Sequence, residues 1–210
     1  MLGAATSPVS RELERMSSLR LSRRHVLLSG AAAGASFFTA DLLAQGQLSP
    51  TPACGAGPTP RQTEGPFFTP NSPERQSLVE SGMKGQVLEL TGLVLTRGCK
   101  PVNGALLDFW QADEDGAYDN RGFRLRGHQF ADGEGRYRLR TILPGRYPGR
   151  TPHIHVKVQA ANRPVLTTQL YLPGDPGNVR DPLFRSELLM RMAGGRVRRS
   201  GQFDFVLDMA

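Results

Sequence analysis

Gly135-Arg136-Tyr137-Arg138-Leu139-Arg140-Thr141-Ile142 alternates charged with apolar side chains, as a strand does when one face is wet and the other buried. Working outward, Val87 to Leu95 and Ala105 to Gln111 are dense in aliphatic and aromatic residues. His153 to Val158 and Val165 to Leu172 read the same way, and Phe203 to Leu207 supplies a sixth strand. Turn residues separate these runs: Gly98, Asn103-Gly104, Asp115-Gly116, Asp132-Gly133-Glu134-Gly135 and Pro144-Gly145. Only Asp181 to Met192 reads as helix. The expected fold is all-β, an antiparallel β-sandwich with long loops and one short C-terminal helix. With 39% hydrophobic residues in 210, the chain can fill one core but not two full domains.

The N-terminus reads as targeting rather than fold. Ser22-Arg23-Arg24-His25 precedes the small, apolar run Val26 to Ala44, the layout of a twin-arginine export signal. Asp41 and the interspersed Gly, Ser and Thr make that run a poor membrane span, which needs ~20 predominantly apolar residues. Residues 1–45 are therefore expected to be the signal, 46–62 an extended arm and 63–210 the sandwich. The protein is expected to be periplasmic or secreted, with no stable membrane span once the signal is removed. Counted from Met16 the basic region has a more ordinary length than from Met1, so translation is expected to start at Met16; the intact mass of the precursor decides it.

Residues 1–45 hold five Arg, two Glu and one Asp, so their removal lowers the net charge from +7 to +5. Arg191, Arg196, Arg198 and Arg199 cluster late, and a solvated basic face is the expected reading. No aromatic residues interleave with them, which argues against a nucleic-acid stacking platform. Cys54 and Cys99 are the two cysteines. In an exported protein they form either a disulfide or two buried thiols, and spacing alone does not decide.

The chemistry centres on His153 and His155. At i and i+2 in a strand they share one face, with Cα atoms roughly 6.5 Å apart, close enough for both imidazoles to reach one ion. The same spacing also fits two ordinary surface histidines. No cysteine lies nearby to make a thiolate zinc site. Tyr118 and Tyr147 lie in glycine-rich loops, where a phenol can turn toward a site. A phenol titrates near ~10, so as a ligand it calls for a strongly Lewis-acidic ion such as Fe(III); either tyrosine alone is as readily a water-bonded phenol. Trp110 fits a pocket wall or the core, and His128 a turn or strand edge. Asp113, Glu114, Asp115 and Asp119 fit a solvated loop better than a cation site.

Trp110-Gln111-Ala112 with Gly116-Ala117-Tyr118, the run Tyr137 to Tyr147, and Arg150-Thr151-Pro152-His153-Ile154-His155 resemble the intradiol ring-cleavage dioxygenases in type, order and spacing. Thr63-Glu64-Gly65-Pro66-Phe67-Phe68 and Thr168-Gln169-Leu170-Tyr171 extend the resemblance over roughly residues 63–175, closest to an exported, protocatechuate 3,4-dioxygenase-like branch. It implies Fe(III) held by Tyr118, Tyr147, His153 and His155, with Tyr147 released as substrate binds. Arg150 would stabilise negative charge on the ring, and Gln169 would stand behind the ligands. The implied partners are a small aromatic diol and O2, the implied product a cis,cis-muconate-type diacid, with a homo-oligomer left open. Five residues separate Tyr147 from His153, fewer than in protocatechuate-type enzymes, which would open the pocket mouth. The competing readings are a non-catalytic, transthyretin-like binding module and a zinc hydrolase, for which no third ligand stands at a zincin-like spacing.

Overall fold

The computed structural model describes residues 57–195 and 198–210. The expected signal, the Met16 start and most of the arm fall outside them. Nine strands form: β1 (Val87–Thr96), β2 (Leu106–Gln111), β3 (Arg126–Phe130), β4 (Arg136–Ile142), β5 (His153–Gln159), β6 (Leu166–Tyr171), β7 (Arg191–Gly194), β8 (Arg198–Gln202) and β9 (Phe205–Leu207). They make two sheets. One, in the order β3-β2-β5-β6, is antiparallel throughout; in the other, β4-β1-β8-β7, β1 pairs antiparallel with β4 but parallel with β8, and also parallel with β9.

The core lies between the sheets. Leu88, Leu90 and Val94 of β1 and Leu139 of β4 meet Leu107 and Phe109 of β2, Ile154, Val156 and Val158 of β5, and Leu170 of β6, all buried. Because strand side chains alternate, the other face of the four-stranded sheet collects the residues in between. Residues opposite each other across strands share a face. His155 stands opposite both Trp110 and Gln169, His153 opposite Tyr171, and Arg126 opposite Trp110. Register alone thus gathers both histidines and their neighbours on one side.

That side is covered by a strap, Gln62 to Phe68, which crosses the sheet strand by strand. Gln62 N donates to Thr167 O of β6 at 2.8 Å, and Glu64 pairs with Lys157 of β5. Phe68 packs edge-on to Trp110 of β2 at 4.9 Å, and Arg126 of β3 donates to Phe67 O at 2.6 Å. Just upstream, Thr59 N donates to Val206 O at 2.9 Å and Thr168 Oγ1 to Pro60 O at 2.7 Å.

Several expectations change. The helix over Asp181 to Met192 does not form: the segment holds only a 3-10 turn, Ser186–Leu188, before β7 begins. The N–H groups of Phe184, Leu188 and Leu189 close only three-residue turns onto Asp181, Arg185 and Ser186, and Met190 N bonds Tyr171 O at 2.9 Å, so no helical ladder builds. Leu188 and Met190 are both buried, two residues apart, a strand period. β3, β7 and β8 were not anticipated, because none carries the aliphatic alternation of the other strands. Arg191 is no solvated face; it is half-buried, 3.9 Å from Asp204. Cys99 is disulfide-bonded, while Cys54 lies outside the described residues.

Candidate metal centre

The four expected ligands arrive from β5 and two loops. His153 and His155 come from the start of β5. Tyr118 ends a tight turn in which Asp113 accepts Asp115 N at 3.1 Å and Ala117 N at 2.9 Å. Tyr147 sits on the next loop, and the two loops are locked together by glycines. Gly145 N donates to Asp113 O at 2.7 Å. A Cβ on Gly116 would stand 2.0 Å from Arg146 O, and one on Gly145 would stand 2.3 Å from Glu114 O. Only hydrogen fits at that crossing.

His153 Nε2 and His155 Nε2 are 3.0 Å apart, and Tyr118 Oη is 3.3 Å from His153 Nε2. Two ligands about 2.1 Å from one ion and about 90° apart stand about 3.0 Å from each other, so these spacings match those of neighbouring ligands on one ion. Tyr147 stands edge-on to Tyr118, ring centroids 5.9 Å apart. His153 Nδ1 lies 2.7 Å from Thr151 O; as donor there it leaves Nε2 with a lone pair aimed at the centre. His155 is clamped by Trp110, stacked on it at 4.7 Å and 7°. Phe67 stacks on Tyr118 at 4.4 Å and stands edge-on to Tyr147 at 5.2 Å.

Burial sets the protonation states of the metal-free centre. It lowers His153 to about 4 and His155 well below the usual imidazole range, so both rings are neutral, as ligands must be. Burial also raises the Tyr118 phenol above its ordinary value, against the opposing pull of Arg150 and Arg126. Binding a cation at Tyr118 must therefore expel a proton. The unfolded chain binds protons on both histidines below about 6.5 while the folded one does not, so stability falls as pH drops from about 6.5 to about 4. His153 alone accounts for a loss of order 3 kcal/mol. Urea midpoints of the metal-free protein at pH 7, 5.5 and 4.5 check this; a midpoint unchanged across the series refutes it.

Arg150 is held rigidly. Its Nε donates to Asp181 Oδ1 at 3.0 Å and Oδ2 at 2.9 Å, and its Nη2 reaches Gln169 Oε1 at 2.5 Å and Tyr171 Oη at 3.3 Å. Asp181 also accepts Thr151 N at 3.0 Å, which fixes the entry to β5. Burial pushes Tyr171 up to about 12, so it stays a phenol and a donor; Gln62 Oε1 lies 2.7 Å away. Gln169 Nε2 donates to Thr63 O at 2.9 Å, tying strap to sheet. Arg146, Tyr147, Arg150 and Arg180 line a groove of about 390 Å³ on the Tyr147 side of the site.

The other candidates fall away. His128 Nδ1 is 2.7 Å from Ser72 O, in an edge strand. The Asp119 carboxylate is taken up by the N–H groups of Arg121, Gly122 and Arg124, each at 2.9 Å. Among the described residues no group of three or more His, Cys, Asp or Glu converges, which leaves a zinc hydrolase without a third ligand. No described helix is long and apolar enough to cross a membrane. Sequence reasoning missed Arg126 and Asp181, both buried, and the place of Phe67 between the two tyrosines.

Fold and site together define a β-sandwich with a mixed phenol–imidazole centre on the outer face of one sheet. The family model described as Dioxygenase matches residues 63–209. A catechol 1,2-dioxygenase from Pseudomonas sp. (strain EST1001) is 30% identical over 168 residues, covering 67% of this chain and 56% of that protein. A protocatechuate 3,4-dioxygenase beta chain from Burkholderia cepacia is 38% identical over 121 residues, covering 48% and 51%. The solved dioxygenase domain of a dioxygenase carbohydrate-binding protein fusion from Streptomyces sp. SirexAA-E is 59% identical, with a TM-score of 0.72, over 73% of this chain and 100% of that one. The chain belongs to the intradiol ring-cleavage dioxygenase family, and it spans about half the length of the curated relatives it matches.

Proposed function

We propose that the protein is a non-haem Fe(III) dioxygenase that opens a catechol-type ring between its two hydroxyl-bearing carbons, using O2 and yielding a cis,cis-muconate-type diacid. The observation that carries this reading is the convergence of Tyr118 Oη and the two Nε2 atoms at 3.0 and 3.3 Å, with Tyr147 alongside. Two neutral nitrogens and two phenols suit a hard trivalent ion: as phenolates the tyrosines offset two of its three charges. Tyr118, Tyr147, His153 and His155 would hold the iron. Bound there, it would supply Lewis acidity and hold both diol oxygens in place.

The chain's own groups then have distinct tasks. Tyr147 shares the groove with Arg150, so it is the phenolate an entering diol meets, placed to take up a hydroxyl proton. Arg150 spends Nε on Asp181 and Nη2 on Gln169 and Tyr171, and among the described residues Nη1 has no protein partner; it is free to face charge developing on the ring. Gln169 braces Arg150 from behind. Trp110, Phe67 and Phe68 keep water from the ligand side.

The test is direct. Loaded with ferric iron, the protein should be coloured by tyrosinate-to-iron charge transfer and should consume one O2 per diacid formed across a panel of catechols. A colourless, iron-replete protein, or one that leaves every diol intact, refutes the reading. Export by the twin-arginine route is part of the proposal and is supported by the disulfide at Cys99, a bond suited to an oxidising compartment.

A further inference from the structure

Two arginines flank the centre, and they are held differently. Arg150 makes a contact ion pair with the Asp181 carboxylate, although its charge still acts on Tyr118. Arg126, 1% exposed, donates only to backbone carbonyls: Nε and Nη2 to Asp119 O at 3.0 and 2.7 Å, and Nη1 to Phe67 O at 2.6 Å. The carboxylates of Asp108 and Asp119 are within electrostatic reach but neither bonds it. A buried cation without a contact ion pair is costly, and neutral donors could satisfy two carbonyls. Those carbonyls belong to the residue after Tyr118 and to the residue whose ring stacks on Tyr118 at 4.4 Å.

We propose that Arg126 is the positioning residue for Tyr118: its guanidinium fixes the Tyr118 turn to the strap, and its positive charge, held without a contact ion pair, favours the Tyr118 phenolate as a ligand. The inference rests on the proposed ferric centre. The charge matters because the Tyr118 ring is half-buried beneath Phe67, where a fixed cation adds to the stabilisation that a bound ion would give the phenolate. The clamp is needed because Tyr118 comes from a loop while the histidines come from a strand.

Three variants separate clamp from charge: Arg126→Lys keeps the charge and loses the fork, Arg126→Gln keeps donors without charge, and Arg126→Met loses both. The readouts are the visible band, iron loss to a chelator, and thermal unfolding of the metal-free forms. Without the cation the phenolate's electrons are held less tightly, so the band should move to longer wavelength in Arg126→Gln and Arg126→Met. Arg126→Lys should keep the wild-type band position. All three should lose iron faster, by about tenfold or more, the scale of groups that orient ligands. A wild-type band and wild-type iron retention in the folded neutral variants overturns the proposal. So does a Lys variant that folds while both neutral variants cannot fold even without metal, since the charge would then serve the fold. A wild-type protein with no band at all would instead overturn the ferric reading itself.

Discussion

His155→Ala protein is expected to be colourless, to hold little iron after dialysis against a weak chelator, and to lose activity by a factor on the order of 10³ or more. The ring supplies one of three donor atoms within 3.3 Å of a neighbour, and metal-derived charge stabilisation is worth several kcal/mol, each 1.36 kcal/mol being tenfold in rate. The groups around the ring offer no substitute donor: Trp110 is stacked on one face, and Gly65, where an added Cβ would lie 3.5 Å from Cε1, has no side chain. The fold should survive. Burying this imidazole lowers its proton affinity, so the wild-type metal-free protein carries an acid penalty that the variant lacks. Metal-free His155→Ala should therefore lose less stability between pH 7 and pH 4.5 than wild type does. Normal colour in the variant would remove His155 from the ligand set, and an identical acid response would show that its buried ring is not the source of the penalty.

Gly116→Ala is expected to cost activity at least about 100-fold while leaving the distant core intact. Two effects combine. Gly116 has φ +85°, a conformation that strains alanine by of order 1 kcal/mol. The added Cβ would lie 2.0 Å from Arg146 O and 2.7 Å from its carbonyl carbon, well inside van der Waals contact, so the two loops must separate by an ångström or more. Tyr118 is two residues from one side of that contact and Tyr147 one residue from the other. Misplacing reacting groups by about 1 Å costs around 10²-fold. The control is Gly104→Ala, also at positive φ (+66°) but with nothing within 4 Å: it should lose a little stability and keep its activity. Equal kcat in wild type and Gly116→Ala would show that the loop crossing does not set the tyrosine geometry.

How much was legible in the sequence depended on the range of the interactions. β1, β2, β4, β5 and β6 could be read because each buries an aliphatic face with a two-residue period. His153 and His155 followed from that same period. β3 could not be read: Arg126-Gly127-His128-Gln129-Phe130 has no such alternation and is a strand because β2 pairs with it. The C-terminal helix was misread because an apolar spacing that suits a helix was serving a turn and a short strand. That the two tyrosines stand beside the histidines was legible only through family resemblance, since no local pattern marks where a loop phenol turns. Arg126 and Asp181 were illegible for a deeper reason. Asp181 acquires its meaning from Thr151, 30 residues earlier, and Arg126 from Phe67, 59 residues earlier.

The strap that crosses the four-stranded sheet is made first and seated last. On the ribosome Thr63 emerges 106 residues before Gln169, the side chain that anchors its carbonyl, and Gln62 precedes its partner Leu183 by 121. Closing such long loops is slow, so His153 and His155, which emerge after the strap but before Gln169 and Leu183, stay uncovered until those anchors have followed them out. During that interval the two imidazoles are open to solutes from which the finished molecule shields them, so what first meets them depends on the order of synthesis.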